Sequence, residues 1–177
     1  MVILQCPDAL KERERIMDLG IRSVFNIDRE SYRATHFHPK DVGGFLLSID
    51  SVEPEEDYTA EMCMWEPAGP DWKEAVRTDV VSELAGVELQ SDSPGNLAAL
   101  WSRILDLPAT GENGRYKIGL RNAVIRFVAA TDGRGTGVGA IDIRAADRSR
   151  LLSAAEARGC RQNNDEILLG GLRIHIV

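Results

Sequence analysis

Gly86-Val87-Glu88-Leu89-Gln90-Ser91 alternates apolar and polar residues, and the helix that follows opens at Ser93-Pro94. Alternation of period two predicts a half-buried strand. Proline is tolerated in the first helical turn, where its missing N–H has no partner to lose. Leu97, Leu100, Trp101, Ile104 and Leu105 then recur at helical spacing up to Pro108. That stripe reads as core packing in preference to a cofactor contact. Tyr116–Arg121 and Ala123–Ala129 follow as two strands, so residues 85–128 form one strand-helix-strands unit.

Val2-Ile3-Leu4-Gln5-Cys6 at the start of the chain echoes Val87-Glu88-Leu89-Gln90-Ser91. A helix follows it, with Asp8 as N-cap, Leu10, Ile16, Met17 and Leu19 as apolar positions, and Gly20 as the stop. Strands are expected at Ile21–Ile27, Thr35–His38 and Phe45–Ile49. The third unit starts near Gly139: strand Ala140–Arg144, helix Asp147–Arg158, then Glu166–Leu169 and Leu172–Val177 around Gly170-Gly171, a two-residue hairpin signal. Between the first and second units, residues 52–84 are acidic and proline-bearing and read as a surface connector pinned by Trp65 and Trp72. The expected organisation is one unit at 1–51, a connector at 52–84 and a two-unit domain at 85–177.

Bulk properties exclude several classes of function. The net charge of −7 argues against a nucleic-acid or anionic-membrane surface, and no apolar run approaches the ~20 residues of a membrane span. The N-terminus lacks the pattern of a signal peptide. Cys6, Cys63 and Cys160 are far apart with no CxxC spacing, so a reducing cytoplasm is the expected location. The glycine-rich Asp132–Gly139 run precedes a strand and ends without Gly-Lys-Ser/Thr, which makes it a flexible linker in preference to a phosphate loop. His36, His38 and Asp41 are close, but turn chemistry accounts for them more simply than a metal does. Cys160 reads as a small buried hydrophobe.

Strand alternation turns Val87, Leu89, Leu172, Ile174 and Ile176 toward the helices. Glu88, Gln90, Arg173 and His175 then face the other side, joined by Arg126 and Asp142. A sheet with helices behind and polar groups in front is a bowl for a small ligand. In it Arg126 has the fork that holds a carboxylate or phosphate, with Gln90, Asp142 and Arg173 as further ligand-binding groups. Glu88 or His175 has the chemistry to move a proton. The alternative is that the same charges neutralise one another as an internal salt-bridge network, Arg126 with Glu88 or Asp142, filling a bowl that does no chemistry.

The repeated unit, its Val-x-Leu-Gln first strand, and His38-Pro39-Lys40-Asp41-Val42-Gly43-Gly44-Phe45-Leu46-Leu47 closing the first unit resemble the vicinal oxygen chelate superfamily. The His-Pro-Lys-Asp-x-Gly-Gly run is most similar to the methylmalonyl-CoA epimerase branch. The resemblance implies an α+β fold of repeated βαβββ units, forming a curved mixed sheet, an incomplete barrel, with helices on its outer face. It also implies a divalent metal held by histidine on first strands and glutamate on last strands. The first-strand position falls on Met1, Gly86 and about Ala140, and the last-strand position on Ser48, Arg126 and His175. The expectation is therefore a glyoxalase-like protein that has lost the standard metal site, needs no cofactor and binds a small, anionic organic molecule. A metal-dependent lyase or isomerase using His175 with Glu88 or Asp142 is the second reading, and a non-catalytic dimerisation module the third. Units pair in this superfamily and three are counted, so the unpaired first unit implies a homodimer or a further unit before Met1.

Overall fold

The computed structural model describes residues 1–52 and 65–177; the connector's Cys63 lies outside them. The chain divides into two compact units, Met1–Val76 and Arg77–Val177.

In the first unit, strand β1 (Val2–Gln5) leads into helix α1 (Ala9–Asp18), then β2 (Ser23–Asp28), β3 (Tyr32–Phe37) and β4 (Leu47–Val52). Asp8 caps α1 by accepting from the amides of Leu10 and Lys11, and Gly20 leaves it at φ 84°, as its sequence implies. Ala9 and Ile16 are the buried positions of α1, whereas Met17 is exposed. The strands lie in the order β1-β4-β3-β2, with β1 parallel to β4 and the other pairs antiparallel. The His38–Gly44 turn closes on itself: His38 Nδ1 accepts from the Lys40 amide, and Asp41 pairs with Arg22 at 2.8 Å.

The second unit opens with β5 (Val81–Ser91), then α2 (Pro94–Leu105), β6 (Ala109–Glu112), β7 (Arg115–Gly119) and β8 (Val124–Ala129). β9 (Gly137–Ala145), α3 (Arg148–Glu156), β10 (Glu166–Leu169) and β11 (Leu172–Ile176) complete it. Its sheet runs β10-β11-β9-β5-β8-β7-β6. The order β5-β8-β7-β6 repeats that of the first unit, and β9-β11-β10 repeats it less its last strand. At the missing place only an isolated bridge from Arg161 to Ile167 remains. Three α-helices, two short 3-10 turns and two open sheets are thus present among the described residues, an α+β arrangement without a closed barrel. No described helix is long and apolar enough to cross a membrane.

The core lies on the helix side. Leu97, Ala98, Trp101 and Ile104 of α2 are buried with Leu89, Ile118, Ile125 and Phe127, and Trp101 meets Phe127 edge-on at 6.1 Å. Ala155 of α3 packs with Ile143, Ile167 and Ile176. Several features differ from the sequence expectation. Met17 faces solvent, β5 begins at Val81, inside the stretch read as connector, β9 begins at Gly137, inside the run read as a linker, and β6 was not foreseen. The signal for β6 was Asn113-Gly114, both at positive φ (54° and 77°), the two-residue hairpin turn that needs such residues.

Candidate functional site

The side of the sheet away from α2 and α3 carries the polar residues, and pairing brings them together. β5 and β9 run antiparallel at the centre, with Gly86 opposite Asp142 and Glu88 opposite Ala140. β8 runs parallel to β5 and sets Arg126 beside Glu88. β11 runs parallel to β9 and sets His175 beside Asp142. Arg126 is long enough to cross β5 and reach β9, since strands are spaced ~4.8 Å apart.

Its guanidinium is the hub. Nη1 donates to Glu88, and Nε and Nη2 donate to the two oxygens of Asp142 at 2.8 and 2.5 Å. Nη2 also stands 2.9 Å from His175 Nδ1. An arginine only donates, so Nδ1 is the acceptor in this contact; the other ring nitrogen, Nε2, lies 3.3 Å from Glu166. Burial opposes the charge on Arg126, but the hydrogen bonds it donates to Asp142 and the charge of Glu88 outweigh it and hold the pKa above the ordinary arginine value. Glu88 and Asp142 are only 6% and 5% exposed. Carboxylates that deep need a cation beside them.

A second hub adjoins the first. Arg173 donates to Glu88 at 3.2 Å, to Gln90 at 2.9 Å and to Asp132 at 2.6 Å. Gln90 donates to Asp132 and to the Gly135 carbonyl, each at 2.8 Å. Arg134 clamps Asp132 through its amide and side chain and reaches the Gly171 carbonyl at 2.7 Å. Its guanidinium holds the Asp132 carboxyl well below the usual carboxylate range. The glycine-rich run is therefore tied across the sheet, whereas its composition alone reads as a flexible linker.

All six residues singled out in the sequence, Glu88, Gln90, Arg126, Asp142, Arg173 and His175, lie in this network. Asp132, Arg134 and Glu166 join it without having been anticipated. Glu166 was within reach, because a two-residue turn at Gly170-Gly171 puts Leu169 opposite Leu172 and hence Glu166 opposite His175. Counting charges, four carboxylates (Glu88, Asp142, Asp132, Glu166) face three guanidiniums (Arg126, Arg173, Arg134). At the β10–β11 end, an open groove of about 610 Å³ is lined by His175, Glu166, Asn163, Asn164 and Val177 among others. His175 and Glu166 thus connect the network to solvent.

Repeated strand-helix-strand units pairing through their first strands define the vicinal-oxygen-chelate type of fold, and this chain has it. Among solved structures, it is similar to a hypothetical protein from Staphylococcus aureus (12% identity, TM-score 0.63, covering 99% of this chain and 63% of that one). It is similar to a Mn(II)-bound glyoxalase from Novosphingobium aromaticivorans (11%, 0.64, 98% and 60%) and to 2,2',3-trihydroxybiphenyl 1,2-dioxygenase from Sphingomonas wittichii (10%, 0.58, 98% and 67%). The chain spans roughly three fifths of the length of the first two. No family model and no curated protein matches the sequence.

The divalent metal that the resemblance implies does not fit the residues present. Gly86 and Ala140 offer no donor, and Arg126 brings a positive charge to a last-strand position. Among the described residues, no three His, Cys, Asp or Glu side chains converge on one point.

Proposed function

We propose that this chain is a metal-independent binding protein that takes a small, carboxylate-bearing organic molecule on the inner face of the Arg77–Val177 sheet. The observation that carries the reading is the convergence of six polar side chains in one network that reaches open solvent through His175 and Glu166. In this reading Arg126 and Arg173 supply fixed N–H donors, Gln90 and Asp142 set their orientation, and His175 touches the ligand at the groove. Cation and ligand geometry are then pre-organised, which lowers the ordering cost of binding. Proton transfer by Glu88 or His175 is the catalytic extension of the same site, of glyoxalase-type lyase or isomerase character. A reducing, cytoplasmic location goes with this reading, as the wide spacing of Cys6, Cys63 and Cys160 implies. The test is a thermal-shift screen of small carboxylates and acyl-CoA-like compounds. A hit raises the parent's Tm but not that of Arg173→Ala or His175→Ala. A screen without hits, or variants that respond like the parent, refutes the reading.

The homodimer reading has its own support. β1 is paired on one side only among the described residues, whereas its counterpart β5 carries β9 there. β5 and β9 meet at Val87 opposite Ile141. Transposed to β1, that register sets Val2 against Val2 of a second copy. Light scattering of the purified chain at several concentrations decides it, and a mass of one chain throughout refutes it.

A further inference from the structure

We propose that Arg126 is a built-in counter-ion. Its guanidinium fills a cage of oxygen and nitrogen ligands that a divalent cation would otherwise enter, and thereby keeps metal off this face. The cluster needs no organic ligand for this role, so the role stands or falls separately from the binding reading.

The geometry around Nη2 points to it. Asp142 Oδ1 lies 2.5 Å and His175 Nδ1 2.9 Å from that nitrogen, and the two ligand atoms are 3.4 Å from each other. Two donors held at ~2.1 Å on a tetrahedral zinc stand about 3.4 Å apart, so this pair already has the bite of a metal-binding pair. Glu88 is the third candidate donor, drawn aside onto Nη1. With the arginine in place, no three such groups converge among the described residues. Glu166, at 3.3 Å from His175 Nε2, is placed as the outer carboxylate that orients a ligating imidazole. The room comes from Gly86: a Cβ there would lie 2.6 Å from the Val124 carbonyl oxygen and 2.7 Å from Asp142 Oδ2. The guanidinium itself is the cation seen in the cage. Without it, nearly buried Asp142 loses its guanidinium and Glu88 keeps only Arg173, at 3.2 Å, so the pair is left short of positive charge, which a divalent ion supplies.

The experiment uses the full chain, stripped of metal by chelator, as the parent, Arg126→Ala, Arg126→Ser, Arg126→Lys and the double variant Arg126→Ala/His175→Ala. Each is titrated with Zn2+ by calorimetry and with Co2+ by visible absorption. The alanine and serine variants are expected to bind about one zinc ion with Kd below ~10 µM, at least ~100-fold tighter than the parent, the lysine variant and the double variant. Co2+ should give the intense visible bands of a low-coordinate site in the alanine variant and not in the parent. If the alanine variant is unfolded without metal, its refolding on zinc addition supports the proposal equally. The proposal is overturned if folded Arg126→Ala binds zinc no tighter than the parent, or if the double variant binds equally well. It is also overturned if both the alanine and the serine variants stay unfolded at saturating zinc.

Discussion

Asp142→Ala measures how much the inner-face network contributes to folding. The substitution removes both oxygens that accept from Arg126 Nε and Nη2, at 2.8 and 2.5 Å. A hydrogen bond to a charged group contributes a net ~1.5–3 kcal/mol, so two set an upper range of ~3–6 kcal/mol. The Arg126 side chain stays 28% exposed, and water recovers part of that loss. The expected cost is about 3 kcal/mol, the lower end for removing one partner of a buried pair. Glu83→Ala is the matched control, because Glu83 pairs with Arg144 where the side chains are 46% and 60% exposed; that change should cost under ~0.5 kcal/mol. The assay is urea unfolding followed by Trp101 fluorescence, in a background where Trp65 and Trp72 are phenylalanine. At a slope of ~2 kcal/mol/M the Asp142→Ala midpoint should fall by ~1.5 M, and Asp142→Asn, which keeps an acceptor oxygen, by about half as much. An Asp142→Ala midpoint within ~0.25 M of the Glu83→Ala midpoint would mean that the network contributes nothing beyond surface pairing.

Gly86→Ala forces a methyl against the Val124 carbonyl, which belongs to the backbone and cannot swing away. A loss of ~1–3 kcal/mol in the same assay is expected, while Gly137→Ala, with nothing within 4 Å, should be neutral or slightly stabilising; equal effects would contradict the close approach. Burial, reinforced by the nearby charges of Glu12, Asp8 and Asp50, pushes the Cys6 thiol up from 9.0 to about 12. A thiol whose folded value exceeds its unfolded one adds stability that is complete below pH 9.0 and is lost as pH rises toward about 12, at ~1.4 kcal/mol per pH unit. Urea midpoints at pH 8 to 11 should therefore drop less steeply in Cys6→Ala than in the parent, and identical slopes would rule out a buried thiol.

Much of this protein was written locally. Caps at Asp8 and Gly20, the Gly170-Gly171 turn and the alternation of Val87 and Leu89 with Glu88 and Gln90 act within a few residues. They determined the repeated units, the buried face and the polar face. The sequence also set Gly86 and Arg126 at the positions that the resemblance assigns to metal ligands. It offered Glu88 or Asp142 as the partner of Arg126, and did not show that one guanidinium holds both. That depends on β8 beside β5 and on the antiparallel register of β5 against β9, which shifts between Leu84 and Gly86 and again between Glu88 and Leu89. Each shift changes which residues face one another, and no periodicity in either strand records it. Only the folded sheet therefore decided that one guanidinium meets Glu88, Asp142 and His175 together, and that Asp132 is folded back onto Gln90 and Arg173. Side chains distant along the chain become neighbours through strand pairing, and only there do buried carboxylates and guanidiniums meet to compensate one another.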